Sequence, residues 1–254
     1  MDYDEVIRER RRLLKASISE DVPDEWWKTD QQKGVGPPPL EKPYDKDAEL
    51  IDLVEPKDFK VGQVPLIKAI GNRQSRRIFK DEPLSLEELS FLLWATQGVR
   101  QVDKKRVWTK RMVPSGGGRQ PFETYLLIRN VESLIPGVYR YLPIEHKLIL
   151  ISERLPSANE LLNYAWSQNF IGLAPVVFVW AAIPYKTEWR YSVISYKDIL
   201  IEADHVCQNL YLACEGIGAD TCAIAAYGQD TMDELIQVDG ENEMTVYLSA
   251  VGKV

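Results

Sequence analysis

Three short stretches of this chain carry side chains that could do chemistry. The first is Asn72-Arg73-Gln74-Ser75-Arg76-Arg77-Ile78-Phe79. Arginine presents paired N–H groups in one plane and serine adds a hydroxyl, a set that matches phosphate oxygens. The stretch is either a grip for one small dianion or a solvated surface run paired with acids. The second is Pro114-Ser115-Gly116-Gly117-Gly118, followed by Gln120 and Pro121. Glycine lets a backbone approach a flat ligand closely; the alternative is a plain flexible loop. No Gly-Lys-Ser/Thr follows, so it is not a P-loop, and no strand-turn-helix frames it as a dinucleotide turn. The third is Gly216-Ile217-Gly218-Ala219-Asp220-Thr221-Cys222-Ala223-Ile224-Ala225-Ala226-Tyr227. Such small residues suit helix packing or a backbone surface laid against a ring.

Several elements would have to position these stretches. Residues 84–97 predict a helix: Ser85 caps, Glu88 completes a capping box, and positions 86, 89, 92 and 93 share an apolar face before Gly98. Residues 196–215 form the strongest helical pattern, apolar on most sides, which places it in a core or a subunit interface. His205 on that helix is expected to be a satisfied core histidine. Residues 157–168 predict a helix capped by Ser157, and 231–236 a short one. Strands are expected at 123–128 (or a helix-strand hybrid), 137–141, 147–151, 176–182 and 244–251, the 176–182 run being apolar enough for burial on both faces. Residues 216–226 are expected to be loop. Helices and strands mix without βαβ alternation, so the class is α+β.

The chain divides by composition. Residues 1–64 hold a short charged helix at 4–16 and then a proline-rich extended arm, with Pro23, Pro37, Pro38, Pro39, Pro43 and Pro56. Trp26 and Trp27 favour an arm wrapped over a surface. The compact domain is expected over 65–254.

At 254 residues and a net charge of −7, the chain lacks the basic field of a nucleic-acid coat, although a local basic pocket remains compatible. Three cysteines without a CxxC motif, and only His146 and His205, leave no disulfide framework and no multi-histidine metal site. The start of the chain is charged at once and no apolar run reaches about 20 residues, so a cytoplasmic protein is expected.

Taken in order, the three stretches resemble the nitroreductase family of flavin enzymes. Arg73-Gln74-Ser75-Arg76-Arg77-Ile78-Phe79 looks like the opening signature of that family. The 114–118 loop with Pro121-Phe122-Glu123-Thr124-Tyr125, then Val131-Glu132-Ser133-Leu134, Pro136-Gly137-Val138-Tyr139-Arg140-Tyr141, Glu202-Ala203-Asp204-His205-Val206-Cys207-Gln208-Asn209-Leu210 and Thr221-Cys222-Ala223-Ile224, resemble its SagB-type dehydrogenase branch, which oxidises azoline rings in peptides. The resemblance covers roughly residues 65–254.

That resemblance implies a nitroreductase-like α+β fold with a mainly antiparallel sheet flanked by helices. It also implies an intertwined homodimer with two FMN sites, each built by both subunits. By likeness, Arg73, Gln74, Ser75 and Arg77 hold the phosphate end. Pro114, Ser115, Gly116 and Gly117 come from the other subunit and line the isoalloxazine. Ala223, Ile224 and Ala225 supply backbone near N5, and Lys253 sits where the family often has a phosphate contact. NAD(P)H is the implied co-substrate, and an electron-poor small molecule the acceptor in a ping-pong cycle. The alternative is a SagB-like dehydrogenase oxidising a peptide or small metabolite with oxygen. One departure bears on it: where that branch has a Lys-Tyr pair, this chain has Arg190 and Tyr191. Arginine keeps the charge but hardly ever gives up a proton. Arg190 and Tyr191 are the candidate catalytic pair, with no metal, nucleic acid or membrane involved.

Overall fold

The computed structural model describes residues 2–15, 22–166 and 168–254. Its centre is a seven-stranded, wholly antiparallel sheet. The strands are β1 (Leu50–Asp52), β4 (Phe122–Ile128), β5 (Gly137–Leu142), β6 (Lys147–Ser152), β7 (Val176–Ala182), β8 (Ala219–Ile224) and β9 (Met244–Lys253). Their order is β1-β6-β5-β4-β7-β9-β8. A separate two-stranded ribbon joins β2 (Val99–Val102) to β3 (Thr109–Arg111).

The sheet carries a core on each face. β7 explains why: Val176, Phe178 and Trp180 point to one side, Val177, Val179 and Ala181 to the other, as a two-residue period requires. The first face is covered by α3 (Leu86–Gln97) and α6 (Ser195–Glu215), through Leu89, Leu92, Leu93, Val206 and Leu210. The second is covered by α4 (Ala158–Tyr164) and α7 (Gln229–Leu235), through Leu161 and Met232. Helices on both faces therefore bury the central strands even in an antiparallel sheet.

Both capping boxes form. Ser85 Oγ accepts the Glu88 N–H at 3.2 Å while Glu88 accepts the Ser85 N–H at 2.9 Å, and Ser157 and Glu160 make the same exchange. The second helix stops at Tyr164, short of 168, because Ala165 and Trp166 turn away and Trp166 takes a φ of +46°. The N-terminal helix α1 spans Tyr3–Arg12 and ends in a turn at Leu13; residue 16, expected at its end, lies outside the described residues.

Two expectations are corrected. Residues 219–224, expected to be loop, form edge strand β8: their hydrogen bonds come from β9, whose pairing places Ala219 opposite Lys253, and local composition carries no trace of so distant a partner. His205 is exposed, not a core histidine. It shares an outward stripe of α6 with Leu200, Ile201, Asp204 and Gln208.

The proline-rich segment lies along its own chain. Leu40 and Leu53 are buried, and residues 50–52 pair with β6. Arg119 bonds Pro38 O at 3.2 Å, Arg140 bonds Lys42 O at 3.2 Å, and Trp189 Nε1 bonds Val35 O at 2.9 Å. A proline-rich segment cannot pair through a regular ladder, and the side chains of Arg119, Arg140 and Trp189 supply donors to its carbonyls instead. Trp26 remains exposed, while Trp27 is half-buried. Residues 17–21 of the expected arm are outside the described residues. No helix among the described residues is long and apolar enough to cross a membrane.

Candidate active site

The arginine stretch follows α2 (Leu66–Asn72) and runs as an extended strap along β8. Ser75 forms a parallel bridge with Thr221, so the strap lies outside the last strand of the sheet. Three contacts fix it. Arg76 forms an ion pair with buried Asp220. Ser75 Oγ lies 2.8 Å from the Tyr211 hydroxyl, which also accepts the Ala223 N–H at 3.0 Å. Lys80 N–H donates to Lys253 O at 2.9 Å. Tyr211, on α6, thus ties the strap to the 223–225 backbone, a link not visible in the sequence because it joins residues 136 positions apart.

Arg73 and Arg77 differ from Arg76. The Arg73 guanidinium stacks 5.4 Å above the Tyr211 ring and Arg77 lies 5.8 Å over Phe170. Neither forms an ion pair with a carboxylate among the described residues. Two cations held by rings, with their charge unneutralised and a serine hydroxyl between them, are a donor set for a phosphate dianion. On this observation the residues present fit the phosphate end of FMN. Gln74 and Ala225 are exposed beside them, Ala223 is half-exposed and Ile224 is buried. Lys253 is engaged elsewhere: its ammonium contacts Glu88 and donates to Ile217 O at 2.7 Å.

The glycine stretch makes a second cluster. Residues Gly116–Gly118 form one 3₁₀ turn, with Gly117 at φ +58° and Gly118 at φ +64°. Both conformations favour glycine. A Cβ on Gly117 would lie 2.5 Å from Arg190 Cδ, and one on Gly116 would lie 3.3 Å from both Tyr191 and Glu202 Oε1. The loop is therefore pressed onto the end of α5 (Tyr185–Tyr191). The structure brings Arg190 and Tyr191 to Gly116 and Gly117, with Ser115 half-buried and Pro114 exposed at the rim.

Glu202 completes this cluster and was not among the residues singled out for chemistry. It is 6% exposed, and its Oε1 accepts the Gly116 N–H at 2.6 Å. Burial is the main reason its carboxyl is raised from 4.5 to about 7, against the opposing bonds from Gly116 N–H and the Ser115 hydroxyl. A carboxyl near neutrality in a partly open site can hold or release a proton there. The sequence signal for it was available: a glutamate at a position that the helical period puts on the buried face, next to Ala203 and Val206.

In one chain the two clusters are apart. Glu202 and Tyr211 are nine residues apart on α6, so the clusters sit roughly 13 Å apart along that helix. α2 exposes Leu66, Ile67 and Ile70, and α6 exposes Leu200 and Ile201. Among the described residues, no group of histidine, cysteine, aspartate and glutamate is arranged to hold a metal.

An antiparallel sheet with helices on both faces, an arginine strap along its edge strand and a glycine loop under α5 define a nitroreductase-like fold, and the comparisons with known proteins agree. The nitroreductase family profile matches residues 70–253, and the chain belongs to that family of oxidoreductases. A nitroreductase-family protein of Methanocaldococcus jannaschii is 32% identical over 193 residues, covering 76% of this chain and 93% of its own. A nitroreductase-family structure from Ralstonia eutropha aligns with a TM-score of 0.65 at 25% identity, over 85% of this chain and 97% of that one. A further structure of the same fold, from Desulfovibrio desulfuricans, was solved with FMN; it aligns with a TM-score of 0.50 at 16% identity, over 75% and 86% of the two chains.

Proposed function

We propose that this protein is an FMN-dependent oxidoreductase that works as a homodimer, taking hydride from NAD(P)H and passing electrons to an electron-poor small molecule such as a nitroaromatic or quinone. The observation that carries the reading is the pair Arg73 and Arg77, uncompensated by any carboxylate among the described residues and fixed beside Ser75 and the 223–225 backbone.

Family membership supports the cofactor, and one structural relative was solved with it. Bound FMN would supply the two-electron chemistry: hydride in from the nicotinamide, electrons out to the acceptor in a second half-reaction. The chain supplies the rest. Arg73, Ser75 and Arg77 bind the phosphate and set the orientation. The 223–225 backbone lies alongside as a surface for the ring. Glu202 holds a proton beside Gly116, with Arg190 and Tyr191 above the same loop. No general base need act for the hydride transfer itself.

The separation of the clusters within one chain supports the homodimer in this reading. A two-fold contact uses the same patch on both copies. If α6 packs antiparallel against its copy about a two-fold axis level with residues 206–207, midway between Glu202 and Tyr211, the glycine loop of one protomer faces the arginine strap of the other. α2 offers a further exposed apolar surface at Leu66, Ile67 and Ile70, which is unusual for a lone soluble chain.

The test is an anaerobic titration of the FMN-loaded protein with NADH and with NADPH, followed by absorbance. The reading expects bleaching of the flavin band and its return on adding a quinone. A flavin that neither nicotinamide reduces would overturn the nicotinamide half of the proposal.

A further inference from the structure

The β2–β3 ribbon holds a concentration of positive charge that the reading above does not use. Residues 99–111 include Arg100, Lys104, Lys105, Arg106, Lys110 and Arg111 against one acid, Asp103, in a chain of net charge −7. Asp103 is occupied within the turn, where its carboxylate accepts the Val107 N–H at 3.2 Å. Arg100, Lys104, Lys105, Arg106 and Lys110 are exposed and form no ion pair among the described residues. Like charges gathered without counter-charges cost stability in the free protein. A ligand of opposite charge would relieve that cost.

The ribbon also forms one wall of a cavity of about 330 Å³ whose other wall is the glycine loop, at Ser115, Gly117 and Gly118. Thr109 and Arg111 contribute to the lining, with their side chains turned into the protein on the face of β3 opposite Lys110. Thr109 and Arg111 are each 1% exposed, and Thr109 Oγ1 and Arg111 Nε have no hydrogen-bond partner among the described residues. The other nitrogens of Arg111 go to Gln97 Oε1 at 2.7 Å and Leu40 O at 3.5 Å. The carboxylates that act on Arg111 are Glu123, Glu41 and Glu202; of these only Glu202 belongs to the glycine-loop cluster, and it is bonded to Gly116. Lys110, 5.4 Å over the Trp108 ring, adds a cation and an aromatic surface at the mouth.

We propose that this cavity binds a phosphate dianion carried by the electron donor, the 2′-phosphate of NADPH, and so makes the protein select NADPH over NADH. The inference rests on the proposed nicotinamide-dependent activity. The two dinucleotides share their hydride chemistry and differ by that one dianion. A site beside the glycine loop is placed to read the difference while the nicotinamide end reaches the ring. Arg100 and Lys110 at the mouth supply the charge that a phosphate dianion requires.

The experiment has a binding arm and a kinetic arm. In the first, the protein as purified with FMN is titrated calorimetrically with adenosine 2′,5′-bisphosphate and with adenosine 5′-monophosphate. The bisphosphate is expected to bind at least tenfold more tightly, and Arg100→Ala/Lys110→Ala is expected to remove that advantage while leaving the monophosphate unchanged. In the second arm, kcat/KM for NADPH is expected to exceed that for NADH at least tenfold, with the double substitution lowering the NADPH value alone. Both variant positions are exposed, so folding is expected to survive, and the unchanged NADH rate reports it. Equal binding of the two adenosine phosphates, equal kcat/KM for the two donors, or a substitution that lowers both donors alike would overturn the proposal. Reduction of the flavin by both donors at equal rates would refute this site while leaving the proposed activity standing. Reduction by neither would refute that activity as well.

Discussion

Replacing Glu202 with glutamine should flatten part of the pH dependence of stability. The Glu202 carboxyl sits under the glycine loop, 6% exposed, and burial lifts it from 4.5 to about 7. Below about pH 4.5 the folded and unfolded chains both hold this proton, and the site takes nothing from stability. Between 4.5 and about 7 the unfolded chain releases the proton while the folded chain keeps it, so stability falls as the pH rises. Above about 7 both have released it and the loss is complete. The interval corresponds to roughly 3 kcal/mol. Glutamine does not titrate, and its Oε1 can still accept the Gly116 N–H. The difference in unfolding free energy between wild type and Glu202→Gln should therefore shift by about 3 kcal/mol in the variant's favour from pH 4.5 to pH 7.5. Urea unfolding at a series of pH values, at one fixed protein concentration, measures it. Parallel profiles for the two proteins would refute the burial argument and the proton-holding role given to Glu202.

The remaining predictions concern the strap, the buried charges and the apolar face. Arg73→Ala/Arg77→Ala should weaken FMN binding by about 1.5–3 kcal/mol for each lost contact, read by flavin fluorescence titration, with little change in melting temperature. Arg76→Ala should do the reverse: Asp220, 0% exposed, loses its partner, which costs about 3–5 kcal/mol of stability in a urea melt. Lys186→Ala should likewise destabilise by about 3–5 kcal/mol, because Glu123 beside it is 2% exposed and loses its ammonium; recovery in a double variant with Glu123 made apolar would identify the stranded charge as the cause. Leu66→Glu/Ile70→Glu should give a monomer by sedimentation, since both residues lie on the apolar face with 66% and 60% of their surface exposed in one chain.

Where local chemistry decides structure, the sequence was informative. Ser85 with Glu88 and Ser157 with Glu160 mark helix starts because a capping box is made within four residues. β7 was legible because an unbroken apolar run has few other fates. What distant partners decide was not legible. β8 is small and polar enough to pass for loop, and only β9 makes it a strand. The short helices α2 and α5 and the β2–β3 ribbon carry no clear sequence signature for a similar reason: they are brief, charged or irregular, and packing sets them. His205 misled because a helix with many apolar residues still has an outward stripe. At the site, residue types located the strap and the glycine loop. Which arginine serves which partner needed the fold: Arg76 is committed to Asp220, and Arg73 and Arg77 are held by rings instead. The roles of Tyr211 and Glu202 are not legible locally because they rest on contacts with Ser75 and with Gly116, far along the chain.

The most direct test is to titrate the purified protein with FMN and count what it holds. One FMN per chain, bound by a dimer and released when Arg73 and Arg77 become alanine, is the expected result. A colourless protein that takes up no added FMN, or one that binds it equally well without those two arginines, would contradict the account.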